Sequence, residues 1–130
     1  MAEQYRVLVT GSRDWAQPDL VDMALDAAFC DAVNAERLMV LVHGACPRGA
    51  DRQAADWAHS AATRGLPLKV EAYPANWQVY GRRAGFLRNA RMVALGADVC
   101  LAFIHNGSRG ASHTAALAEK AGIPVRRWTA

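Results

Sequence analysis

Long apolar runs, paired cysteines and lysine are what this sequence has least of. No stretch reaches the roughly 20 apolar residues that span a bilayer, so no membrane segment is expected. Cys30, Cys46 and Cys100 are odd in number and far apart, without a C-x-x-C pair, which argues against a disulfide framework and for reduced thiols. His43, His59, His105 and His113 form no ligand ladder. His43-x-x-Cys46 has the spacing of half a zinc site, but no second pair follows, so neither a metal nor a cofactor is expected. The first residues run straight into an apolar segment without the basic and apolar regions of a signal peptide, and the expected compartment is the cytoplasm.

Two nucleotide signatures are also missing. The first glycine turn, Thr10-Gly11-Ser12-Arg13, is not G-x-G-x-x-G, and no G-x-x-x-x-G-K-[ST] occurs. His43-Gly44 ends a second apolar run without the acidic residue that holds a ribose in dinucleotide enzymes. A dehydrogenase and a P-loop ATPase are both disfavoured.

What is present begins with arginine. Of 15 basic residues only Lys69 and Lys120 are lysine, which leaves 13 arginines. Codon usage in a GC-rich genome accounts for their number but not for their gathering in loops. The net charge of +3 is too small to demand a nucleic-acid partner. At 52% hydrophobic and 21% charged over 130 residues, the chain suits one globular domain with one core, spanning 1–130.

Apolar, β-branched runs at 5–10, 38–43, 68–73, 99–104 and 124–128 have strand character. Helical segments separate them. The first opens at Pro18 and carries Asp19, Asp22 and Asp26 as a solvated face. The second, about 49–64, places Ala50, Ala54, Trp57, Ala58 and Ala61 on one side. The third runs from about 85 to 95 with Phe86, Met92 and Val93 as apolar anchors and Gly96 as its stop; the fourth covers about 111–121 and stops at Gly122. Strict alternation predicts an α/β fold: a Rossmann-like doubly wound parallel sheet of about five strands in three layers, α/β/α. Strand order 3-2-1-4-5 would open a crevice between strands one and four, flanked by Gly11-Ser12-Arg13 and 105–110.

Four apolar runs stop at a glycine with arginine close behind. Glycine admits close backbone approach, and arginine offers a rigid fork to phosphate. In Gly11-Ser12-Arg13-Asp14-Trp15 the tryptophan either stacks on a ligand or packs on the first helix. Gly44-Ala45-Cys46-Pro47-Arg48-Gly49 opens a helix whose dipole faces the sheet edge; Asp51 there either caps free amides or accepts from a ribose hydroxyl. Asn76-Trp77, Tyr80-Gly81-Arg82-Arg83 and Arg88-Asn89 interleave aromatics with arginines, as for a base and its phosphates, or else form a lid over the core. Gly107-Ser108-Arg109-Gly110 reads as a phosphate nest, with Ser112 and Thr114 as further contacts or plain capping residues and His113 as a proton shuttle or an incidental ring.

Taken jointly, Gly11-Ser12-Arg13, His43-Gly44 with Arg48-Gly49-Ala50-Asp51, Ala75-x-Trp77, Tyr80-Gly81, Arg88-Asn89-x-x-Met92 and Gly110 resemble the YspA-like branch of the SLOG superfamily over nearly the whole chain. The resemblance implies a Rossmann-like fold and a nucleotide or nucleotide-derived ligand, such as ADP-ribose or an NAD-related molecule, in bacterial or phage systems. LOG-type phosphoribohydrolases, which are relatives, use an arginine that Arg88 matches and a glutamate whose place Thr114 takes here. Glycoside cleavage needs a carboxylate, so the departure favours binding or sensing over an N-glycosidase; Arg88 and Asp51 are the catalytic candidates if turnover occurs. DprA-like relatives bind single-stranded DNA, which stands third because the arginines converge on one crevice. A homo-oligomer is compatible with all three readings.

Overall fold

Helices and strands alternate throughout the computed structural model, which describes residues 3–130. Met1 and Ala2, part of the segment read above as lacking a leader, lie outside them. In chain order the elements are β1 (Gln4–Gly11), α1 (Pro18–Asn34), β2 (Leu38–His43), α2 (Ala50–Thr63), β3 (Leu68–Ala72), the single turn α3 (Trp77–Tyr80), a 3-10 turn (Gly81–Arg83), α4 (Ala84–Ala94), β4 (Val99–Ile104), α5 (Arg109–Lys120) and β5 (Val125–Thr129). All neighbouring strands are parallel, as the alternation predicts, and their order is the expected β3-β2-β1-β4-β5.

The period-2 alternation of the central strands divides the apolar residues between two layers. Val7 and Val9, Met39 and Leu41, and Leu101 and Phe103 pack beneath α1 and α2, where the alanine stripe of α2 allows close approach. Leu8, Val40, Val42 and Cys100 face the other way, against Met92 and Val93 of α4 and Ala118 of α5. Burial pushes the Cys100 thiol up to about 12, so it is an inert core group. The edge strands β3 and β5 are only half-covered. Among the described residues, no helix is long and apolar enough to cross a membrane.

The helix boundaries fall within one or two residues of those expected. Gly96 and Gly122, at φ +85° and +84°, follow the two helices they were expected to stop. Asp19, Asp22 and Asp26 are exposed, as a solvated face requires, and Asp26 also accepts a hydrogen bond from the Trp57 indole at 2.9 Å. One anchor is corrected. Met92 and Val93 are buried, but Phe86 is 47% exposed, because the first turn of α4 overhangs the sheet edge and has no strand beneath it. Its ring meets His113 edge-on at 5.4 Å.

An ion pair ties the sheet together on the α4 face. Arg6 of β1 reaches across β2 and binds Glu71 of β3 bidentately at 3.0 and 3.1 Å, while the Tyr73 hydroxyl donates to the same carboxylate at 2.8 Å. The hydrogen bonds from Arg6 hold the Glu71 carboxyl below its ordinary 4.5. A depressed carboxyl stabilises the fold above its unfolded pKa, and that contribution is lost as pH falls through the folded value. Glu71→Gln is therefore expected to cost about 1 kcal/mol or less at pH 7. Its melting temperature should meet that of the wild type in acid, as thermal denaturation from pH 7 to 3 would show.

Candidate functional site

From β1 the chain turns into α1 on one face; from β4 it turns into α5 on the other. The two loops diverge, and a cavity of about 540 Å³ opens between them at the C-terminal edge of the sheet. The loop after β2 and the segment from α3 into α4 form its remaining walls.

Ser12 knots this edge together. Its amide extends the β1–β4 pairing to the Phe103 carbonyl at 2.9 Å, and its hydroxyl accepts the His105 amide at 2.8 Å. Its carbonyl accepts from Trp15 at 3.2 Å and, on the other side, from the first helical amide of α2, Ala50, at 3.4 Å. Gly49, at φ +73° and ψ −149°, is what lets α2 approach that carbonyl.

Asp51 in the first turn of α2 and Arg88 in α4 line the cavity floor, and His43 at the end of β2, outside the lining, is buried close enough to interact electrostatically with both. Nδ1 of His43 accepts the Ala45 amide at 3.0 Å, which places the proton of the neutral ring on Nε2. Oδ2 of Asp51 accepts the Cys46 amide at 3.3 Å. Desolvation pushes the Asp51 carboxyl up, against the opposing pull of the Cys46 amide, His43 and Arg88. Desolvation also pushes His43 down, partly countered by Asp51. The Arg88 guanidinium donates to the carbonyls of Gly44 and Tyr73 and, through Nε, to Asn89 Oδ1 at 2.6 Å. Burial lowers its pKa, and Asp51 works in the other direction. Neither Asp51 nor Arg88 has an ion-pair partner within 4.0 Å among the described residues.

At the mouth, Nδ1 of His105 lies 2.8 Å from Asp14, and this contact holds the exposed carboxyl below its ordinary range. The pair joins the β1 loop to the β4 loop. Arg13 lies over the Trp77 ring at 5.4 Å, which joins the β1 loop to α3.

The structure brings Gly11, Arg13, Arg48, Asp51, Trp77, Arg88, Asn89, Ser108 and Gly110 of the expected residues together around the cavity. Others are placed elsewhere, each for a physical reason. Trp15 is 2% exposed, packed on Phe103 at 5.5 Å with its indole N–H on the Gln17 carbonyl; its ring faces are covered by the core, so it has no surface on which a base could stack. Ser12 is buried outside the lining, and its hydroxyl accepts the His105 amide, a contact that shapes the loop. Gly44 is the seat of Arg88: a Cβ there would lie 2.6 Å from the guanidinium carbon. Gly49 faces the backbone of the first loop. Thr114 is fully buried and donates to the Gly110 carbonyl at 2.9 Å, the ordinary helical back-bond. Gly107, Arg109 and Ser112 lie outside the lining, and Arg48 and Arg82 bring the guanidinium groups in their place.

Cys46, Phe86, Asn106, Asp14 and His105 also line the cavity; the sequence had offered Cys46 as half a zinc site and Phe86 as a core anchor, and the Asp14–His105 pairing was not foreseen. The parallel register carried a signal for the pair: Gly11 stands opposite Phe103, so the residues just beyond each must emerge at the same edge. Asn106 and Gly107 adopt successive left-handed conformations, φ +50° and +61°, which turn the chain into α5. By helix geometry the first amides of α5 have no acceptor of their own, and Ser108 caps none of them with its side chain.

Comparison with known proteins agrees with the motif reading. Residues 5–80 match the family described as the YspA, cpYpsA-related SLOG family. The Gene 61 protein of Mycobacterium phage D29 is 43% identical over 120 residues, covering 92% of this chain and 93% of its own length. No solved structure matches the chain.

Proposed function

The chain belongs to the YspA, cpYpsA-related SLOG family, and from that premise we propose that it binds a nucleotide or nucleotide-derived small molecule of the ADP-ribose or NAD-related kind, sensing or sequestering it. Family membership points to nucleotide-related binding or processing in general. The observation that carries the finer reading is the cavity at the topological switch point. Four arginines (Arg13, Arg48, Arg82 and Arg88) and the exposed ring of Trp77 converge on it. Guanidinium groups and the free amides of α5 suit phosphate oxygens; a half-exposed indole suits a base. Convergence around one cavity favours a small ligand over an extended strand, which needs a continuous groove.

One observation supports a second reading, an N-glycosidase. Thr114 is sealed in the core, but Asp51 supplies a carboxylate to the cavity beside Arg88. A water activated there would add to C1′ while the C–N bond breaks and the base leaves with a proton.

A thermal-shift series with AMP, ADP, ADP-ribose and NAD tests the first reading. A ligand at 100 times its Kd adds about 2.7 kcal/mol, or roughly 10 °C for a chain of this size. No shift with any of them would overturn it. Chromatography of the same mixtures tests the second: release of free base, abolished by Arg88→Ala, makes the protein a hydrolase.

A further inference from the structure

Resting on the nucleotide-binding reading, we propose that Asp51 recognises the ribose hydroxyls and so makes the site selective for ribonucleotides over 2′-deoxyribonucleotides. Among the acidic side chains lining the cavity, Asp51 is the buried one, with 8% of its surface exposed; Asp14 is exposed and already paired with His105. A carboxylate withdrawn from water is retained only where something donates to it. Oδ2 has the Cys46 amide, and the Gly44 amide also pulls on the carboxylate; Oδ1 has no hydrogen bond within 3.5 Å among the described residues, and no cation lies within ion-pair distance of either oxygen. The carboxylate faces a cavity and so has acceptor capacity left over.

An ionised carboxylate accepts and cannot donate. It repels phosphate, which falls to the arginines, and it has no partner in a carbonyl or a ring nitrogen. The donors a nucleotide offers are its sugar hydroxyls and an exocyclic amine. The ribose sits between base and phosphate in the covalent chain, and Asp51 is likewise central. It stands on the floor, while Trp77 and Arg13 stand at the mouth and the first turn of α5 forms the opposite wall. A vicinal diol matches an acceptor-only group with open lone pairs. Removing the 2′-hydroxyl would leave a desolvated carboxylate without its donor, the condition under which a polar site rejects an analogue most strongly. The same selectivity would exclude single-stranded DNA from the cavity.

The test is calorimetric titration of the wild-type chain with AMP and 2′-deoxy-AMP, and with ADP and 2′-deoxy-ADP. At least tenfold tighter binding of each ribonucleotide is expected. Asp51→Asn, which keeps the shape and an acceptor for the Cys46 amide, should bring the ratio below about threefold. Affinities within twofold of one another in the wild type would overturn the proposal and leave the nucleotide-binding reading standing. Unchanged discrimination in Asp51→Asn would also overturn it, by assigning the selectivity elsewhere. If neither member of either pair binds, the reading itself fails and the proposal with it. The wild-type comparison needs no variant to fold, so a misfolded Asp51→Asn leaves the proposal open to refutation.

Discussion

Gly49→Ala is expected to destabilise the fold by about 3–5 kcal/mol, from a strained backbone and an overlap with another segment's main chain. Gly49 occupies φ +73° and ψ −149°, a region that essentially only glycine enters. An added Cβ would fall on the Ser12 carbonyl oxygen and lie 2.7 Å from both Cα and carbonyl carbon of Arg13. All three are backbone atoms in a loop fixed by the β1–β4 pairing, so no rotamer change relieves the overlap. Either α2 withdraws or the Ser12 turn opens, and both movements carry Asp51 away from the cavity. A loss of this size lowers the melting temperature by about 10 °C or more in a chain of this length. Gly65→Ala is the control, since Gly65 also has a positive φ, +81°, but its Cβ would meet nothing within 4 Å. It should cost about 1–2 kcal/mol for the left-handed backbone alone. Two variants that melt at the same temperature would refute the assigned role of the close approach.

The same contact marks the boundary of what the sequence could disclose. Strand and helix positions were legible because burial on both faces imposes continuous apolar runs at Val40–Val42 and Val99–Ile104, and because Gly96 and Gly122 punctuate helix ends. From the alternation and the right-handed crossover, the chosen strand order placed the crevice between β1 and β4. Which side of each loop a residue would occupy was not legible. Ser12 and Arg13 are neighbours, yet one hydroxyl closes the strand pairing and the next guanidinium enters the cavity. Trp15 and Trp77 both stand near glycine–arginine segments, one after and one before, but Trp15 sits where α1 and the sheet meet and Trp77 sits beyond the sheet edge. Such assignments depend on long-range packing that local pattern does not encode. Thr114 is a further case: its hydroxyl neither caps α5 nor meets the cavity but donates to the Gly110 carbonyl one turn back, inside the helix.

Arg88→Ala is expected to weaken binding of AMP about 10- to 150-fold, the range for loss of one charge-assisted hydrogen bond of about 1.5–3 kcal/mol. Arg88 is more than a charge in the wall. Its guanidinium satisfies the Gly44 and Tyr73 carbonyls, and Asn89 fixes its Nε, so the fork is held before any ligand arrives. Truncation removes that positioning and also the cation that helps to hold down the Asp51 pKa, so the Asp51 carboxyl should rise further. A rise favours the neutral acid, and binding that needs an ionised acceptor should then weaken as pH falls at a higher pH than in the wild type. Arg88→Lys separates these effects. It keeps a positive charge near Asp51, but the ammonium's donors sit on one atom and lack the planar fork that holds two carbonyls on Nη1 while presenting Nη2 to a phosphate. Lysine should therefore restore the pH profile more completely than the affinity. Titrations of the three proteins with AMP between pH 5 and 8 read both quantities. An alanine variant that binds within twofold of the wild type at every pH would reduce Arg88 to a structural clamp for the β2 loop. A fork already engaged by two carbonyls needs only one free N–H, on Nη2, to meet a ligand, and that is why the expected loss is that of a single bond.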